Sequence, residues 1–73
     1  MKRYALGISD MMDDIEVLIV EASDEQEAIC LAILQKYQWD VRNEDEFAEI
    51  ETLDDLLTLV LQGDVLISKP VLI

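Results

Sequence analysis

The chain has no histidine, one cysteine, two glycines and one proline, and only 5 lysines and arginines stand against 17 aspartates and glutamates. Each shortage excludes something. Without histidine there is no side chain whose ordinary pKa lies near neutrality, no Ser-His or Cys-His nucleophilic pair, and no commonest zinc ligand. Two isolated glycines, Gly7 and Gly63, cannot form a glycine-rich phosphate loop. A lone Cys30 rules out an internal disulfide and a C-x-x-C redox or zinc pair, which favours a cytoplasmic setting. Inside an apolar run, Cys30 itself reads as a small buried hydrophobe. No apolar stretch reaches the roughly 18 residues of a membrane span. The basic start, Met1-Lys2-Arg3, is followed by the polar interruption Ser9 to Asp14, before a signal-peptide core could form. Five dispersed cations cannot neutralise many phosphates, so direct binding to nucleic acid or to an anionic membrane is disfavoured. The expectation is a protein that is not an enzyme and uses no cofactor.

What is present pulls two ways. The formal charge is −12 over 73 residues, yet 52% of the residues are hydrophobic. High charge with few apolar residues would mean disorder; this apolar content instead predicts a folded chain, a single domain over residues 1–73. Lys2 to Ile8 alternates, with Tyr4, Leu6 and Ile8 on one face, as a strand does. Ile15 to Val20 is largely β-branched and apolar, with Ile15, Val17 and Ile19 opposite Leu18 and Val20, which predicts a second strand buried on more than one face and paired with the first as a hairpin. Ser23-Asp24-Glu25-Gln26 fits a capping box opening a helix from about Asp24 to Tyr37. Thr52-Leu53-Asp54-Asp55 is a second N-cap signal, followed by Leu53, Leu56, Leu57 and Val60 at helical spacing and by Gly63 as a left-handed C-cap. Glu46 to Glu51 fits either a short strand or a helical turn. Val65 to Ser68 reads as a strand that Pro70 confines to an edge. The expected class is α+β: a small single-layer antiparallel or mixed sheet with two helices on one face, in the order ββαβαβ, or ββααβ if the middle strand fails.

Two features exceed what a small monomer needs. Ala28 to Leu34 contains no polar residue, and a stripe through Ile29, Ala32 and Ile33 leaves Leu31 and Leu34 pointing elsewhere. Leu59 and Leu61 lie off the main stripe of the second helix, and Val71, Leu72 and Ile73 are apolar as well. Either the two helices absorb these side chains against each other, or they form an oligomer interface, with a homodimer the simplest form. The second feature is acidity. Asp40, Glu44, Asp45, Glu46, Glu49, Glu51, Asp54 and Asp55 stand together against Arg42 alone, and Asp10, Asp13, Asp14 and Glu16 surround the hairpin tip. On a strand, Glu49 and Glu51 would share a face at roughly 6.6 Å, comparable to the phosphate step of a nucleic acid. Such a surface suits a basic protein partner and could occupy a groove built for DNA or RNA. The plainer reading is a solvated acidic face that keeps the chain soluble.

The remaining candidates are weaker. Asp10, Asp13 and Asp14 lack the alternating ligands, central glycine and terminal glutamate of a calcium loop, so no metal site is expected. Paired carboxylates of the glycosidase kind would need a cleft that the chain has no room to build. Met11 and Met12 either fold onto the sheet edge or form an adaptable contact point ringed by acids. Trp39 either closes the core at the helix end or anchors an interface.

The stretch Val20 to Ile29 after a hairpin, and Leu53-Asp54-Asp55-Leu56-Leu57 before Gly63 and a closing strand, together resemble small acidic accessory proteins of phages and mobile elements. The resemblance covers about half the chain and implies an accessory factor. It fits a non-enzymatic binding module acting on a nucleic-acid-handling protein, of the anti-CRISPR, anti-restriction or nuclease-immunity kind. The alternative is a homo-oligomeric structural or accessory domain with no inhibitory role.

Overall fold

Alternation in the first ten residues produces the central strand of the fold, β1 (Lys2–Asp10), which in a computed structural model of the chain pairs on both sides. Residues 1–10, 12 and 14–73 are described. The order along the chain is β1, β2 (Glu16–Ala22), α1 (Glu25–Tyr37), two 3-10 turns (Val41–Asn43 and Asp45–Glu49), α2 (Leu53–Gln62), β3 (Val65–Ile67) and β4 (Val71–Leu72). This is the expected α+β class in its ββααβ form, since 45–49 is a helical turn and not a middle strand. The spacing expected of Glu49 and Glu51 on a strand therefore does not arise.

β1 and β2 form an antiparallel hairpin in which Tyr4 faces Val20, Leu6 faces Leu18 and Gly7 faces Val17. On its other side β1 pairs with β3, Ile8 opposite Ile67, and with β4, Tyr4 opposite Leu72. Between these two pairings the outer strand carries one residue more than β1, so Ser68-Lys69-Pro70 is a bulge. Pro70, which has no amide to give to a ladder, falls in it. The Ser68 hydroxyl accepts from the Gly7 amide at 2.8 Å and ties the bulge back to β1.

Both helices pack on one face of the sheet. Tyr4, Leu6, Ile8, Val20 and Ala22 from the strands meet Ile29, Ala32, Ile33, Leu56 and Val60 from the helices in a single buried cluster. Each large aliphatic side chain buried there contributes about 1.5–3 kcal/mol. Cys30 belongs to the same cluster at 3% exposure, and burial pushes its thiol pKa up against the opposing pull of Arg42. No described helix is long and apolar enough to cross a membrane.

The helix ends refine the expected caps. Asp24, not Ser23, is the N-cap of α1, accepting from the Glu27 amide at 2.8 Å. The Glu27 carboxylate reaches back to the amide and hydroxyl of Ser23. The cap sits one residue later than the S-x-x-Q pattern places it, putting a carboxylate at the positive end of the helix dipole. At α2 the capping box is as expected, with Thr52 and Asp55 satisfying each other's amides at 3.2 Å. Gly63 ends α2 but has φ −90°, and the left-handed residue is Asp64 at φ 65°. Gly63 is required for a different reason: a Cβ there would lie 2.6 Å from the Trp39 indole.

The expectation that β2 is buried on more than one face is corrected. Leu18, Val20 and Ala22 turn toward the helices, whereas Val17 and Ile19 are 69% and 53% exposed. Among the described residues no helix covers the second face of the sheet, because both helices follow β2 on the same side.

Candidate acidic binding surface

The acids between Asp40 and Asp55 divide into two groups by task. Asp40 caps the first 3-10 turn, accepting from the Arg42 amide and the Asn43 side chain. Glu44 accepts from the Trp39 indole N–H at 2.7 Å and holds that ring in place. Asp55 closes the capping box and also accepts from the Glu51 amide. These three carboxylates serve the fold. Asp45, Glu46, Glu49, Glu51 and Asp54 point to solvent. Of these, only Asp54 reaches a cation among the described residues, Lys69 at 3.6 Å.

The second 3-10 turn lays its free acids beside α2. A shallow cleft of about 270 Å³ between them is lined by Glu46, Glu49, Ile50, Asp55, Thr58, Leu59 and Gln62. Phe47 and Ile50 pack inward against the core and orient the turn. The arrangement presents carboxylates over a partly apolar floor, which suits a cationic side chain carrying an aliphatic stem.

A second pocket, about 540 Å³, opens beyond the C-terminal end of α2 and is lined by Asp10, Met12, Tyr37, Trp39, Gly63, Asp64 and Val65. Two aromatic rings and two carboxylates converge there. The hairpin supplies Asp10, whose carboxylate accepts from the Met12 amide at 2.8 Å. Trp39 serves both readings made of it, packing on the core while offering part of its surface to the pocket. Met12 is 91% exposed at the rim, so it does not fold onto the sheet edge. Met11 and Asp13 lie outside the described residues. Asp14 is exposed, and Glu16 is engaged by Lys36 of α1.

Sequence reasoning located the acids but missed this pocket. Tyr37 and Trp39 are distant in the chain from Gly63 and Asp64, and the two pairs meet where the Trp39 ring lies against Gly63. The small Gly63 after a helix, with a tryptophan elsewhere needing a flat seat, was the available signal.

The expected oligomer residues scatter. Leu31 and Leu59 are half-buried against the core, and Leu34 and Leu61 are partly exposed on separate helices. Val71, Leu72 and Ile73 lie exposed along the edge of the sheet. No three acids or cysteines among the described residues converge as a metal site. Comparison with family models, curated proteins and solved structures returned no match.

Proposed function

We propose that the protein is a non-enzymatic, acidic binding module that engages a basic, nucleic-acid-handling protein. The observation that carries this reading is the division of labour among the acids: Asp45, Glu46, Glu49 and Glu51 are exposed and serve no internal bond or ion pair among the described residues. Carboxylates concentrated this way repel one another and cost stability, a cost that a cationic partner offsets. The aromatic–carboxylate pocket supplies an anchor, since an arginine or lysine side chain gains both from the Trp39 indole and from Asp10 and Asp64, while Lys36 of the chain itself lies over the Tyr37 ring. Association would be fast and strongly salt-dependent, as electrostatic steering requires.

The test is capture from a lysate on immobilised protein at about 50 mM salt, followed by elution with duplex DNA. Basic nucleic-acid-binding proteins should be retained and displaced by DNA. A variant with Glu46→Gln and Glu49→Gln should retain markedly less. If no basic protein is held at low salt, or if DNA fails to compete, the reading is wrong.

A further inference from the structure

We infer that the open face of the sheet is the contact surface for a second copy of this chain, which stacks on it to give a four-layer helix–sheet–sheet–helix dimer. The face is apolar and bare: Ile15, Val17, Ile19, Leu66 and Val71 are 75%, 69%, 53%, 45% and 62% exposed. Their alternation with the buried residues of the same strands places them opposite the helices. Soluble monomers rarely leave a contiguous apolar patch of this kind uncovered.

Charge identifies the occupant. On a chain of net charge −12, the outward positions of β1 and β2 carry one acid and one base, Glu21 and Arg3, which are cross-strand partners. The acids that would attract a basic protein are elsewhere, and an anionic lipid surface would be repelled by the rest of the molecule. A face that is neutral and holds equal numbers of opposite charges is complementary to itself. A two-fold axis parallel to the strands, midway between β1 and β2 and between the stacked sheets, lays β1 of each copy over β2 of the other and sets Val17 over Gly7. Arg3 of each copy then approaches Glu21 of its mate.

Shape agrees with that arrangement. A dimple of about 200 Å³ on the open face is floored by Gly7 and walled by Ile15, Leu66 and Ser68. A Cβ at Gly7 would lie 3.2 Å from Ile15, a tight contact that narrows the dimple from within. Val17 and Ile19 form a ridge on the neighbouring strand, and aligned sheet packing sets such ridges into the facing troughs. The nine-residue β1 flanked by one strand on each side gives a footprint of roughly 400 Å² per copy, from a rise of about 3.3 Å and a strand spacing of about 4.8 Å. That is below the smaller specific interfaces, about 600 Å² of accessible surface per partner, so the dimer is of the weak, transient kind that forms at high chain concentration. Pairing through the free edge of β2 is the poorer solution, because it extends the sheet and leaves its apolar face uncovered.

Sedimentation equilibrium over about 10 µM to about 1 mM chain, at low and high salt, tests the proposal. The mass should double with concentration. Association should tighten as salt rises, because screening relieves repulsion between two acidic molecules; binding of a basic partner should weaken over the same range, so the two proposals fail separately. Val17→Lys and Ile19→Lys should each weaken the dimer by about 100-fold, although both lower the net negative charge, because the buried cation appears twice in a symmetric interface. Both positions are exposed in the monomer, so circular dichroism should show these variants folded. Arg3→Glu should weaken association by about tenfold, and adding Glu21→Arg should restore it. In the unsubstituted protein, methyl resonances of Val17, Ile19 and Leu66 should shift with concentration while those of Leu61 do not. The proposal is overturned by a monomeric mass at about 1 mM in high salt. It is equally overturned if Leu34→Lys or Leu61→Lys dissociates the dimer while Val17→Lys does not, or if the Val17 methyl is covered only when a different protein is added.

Discussion

The two faces of this sheet are built from the same kinds of residue and meet opposite fates. On one, Tyr4, Leu6, Ile8 and Val20 lie beneath two helices and are buried; on the other, Val17, Ile19, Leu66 and Val71 of the same or adjoining strands stand in water. The helix-covered face is walled by acidic connections, whereas the open face holds a single acid–base pair within β1 and β2. Apolar content therefore does not mark the core here. What separates the faces is which of them the connections cover: both helices return on the same side, and the acids travel with the connections. A side chain on the covered face stabilises the fold, and one on the open face is left available for association.

That contrast can be broken by substitution. The largest effect belongs to the covered face: Leu56→Ala, at a fully buried position, should cost about 2–5 kcal/mol in urea unfolding. Val17→Ala on the open face should cost the isolated monomer no more than about 0.5 kcal/mol. Equal losses at the two positions would mean that the faces are not different in kind. Next in size is Gly63→Ala, which drives a methyl into the Trp39 ring. It should lower stability by about 1–3 kcal/mol and shift tryptophan fluorescence, as overpacking does.

The acids divide in the same manner, at smaller scale. Asp55→Ala removes the α2 capping box and should cost about 1 kcal/mol. Glu49→Gln, at an exposed carboxylate without an internal bond, should leave thermal unfolding unchanged or slightly raise its midpoint by relieving repulsion. Its effect should fall on partner binding instead. If Glu49→Gln destabilises as much as Asp55→Ala, the exposed acids are structural and the proposed binding surface loses its support.

The smallest effect concerns Cys30. Its thiol pKa is raised in the fold by burial, so as pH rises the unfolded chain ionises first. The stabilisation is complete below the ordinary thiol pKa, about 8.5, and is progressively lost as pH climbs through that value toward the higher folded one. Relative to Cys30→Ala, the parent chain should show a shallow additional loss of stability as pH rises above about 8. Alkylation of Cys30 should be slow in the native state and fast in denaturant.

Much of the fold was legible because it rests on local rules. Alternation in Lys2 to Ile8 specifies a strand, the Thr52/Asp55 pair specifies a helix start, and Pro70 marks an edge position; each acts over a few residues. The cap of α1 was misplaced by one residue because Ser23 and Asp24 are both competent acceptors, and only the folded helix shows which amides they meet. The strand-or-turn ambiguity at 46–51 had the same origin: Phe47 and Ile50 suit either period, and the core they reach decides between them. The aromatic pocket left no more trace than Gly63 and a distant tryptophan, since Asp10, Trp39 and Gly63 approach through tertiary contacts alone.

The sequence by itself determined that this chain folds, that it is α+β, and that it carries an excess of carboxylates with few cations to answer them. These follow from composition and from periodicities of two and 3.6, which belong to the backbone and need no partner. Only the tertiary structure decided where the apolar surplus goes. Read along the chain, β2 was apolar at every position from Val17 to Val20 and the helices carried leucines to spare, so the surplus was assigned to the helices and to Val71, Leu72 and Ile73. In the folded molecule the helices absorb most of theirs, and the second face of the sheet is left bare. The reason is geometric: a strand must send alternate side chains to opposite sides of a sheet, and this chain's connections cover only one of them.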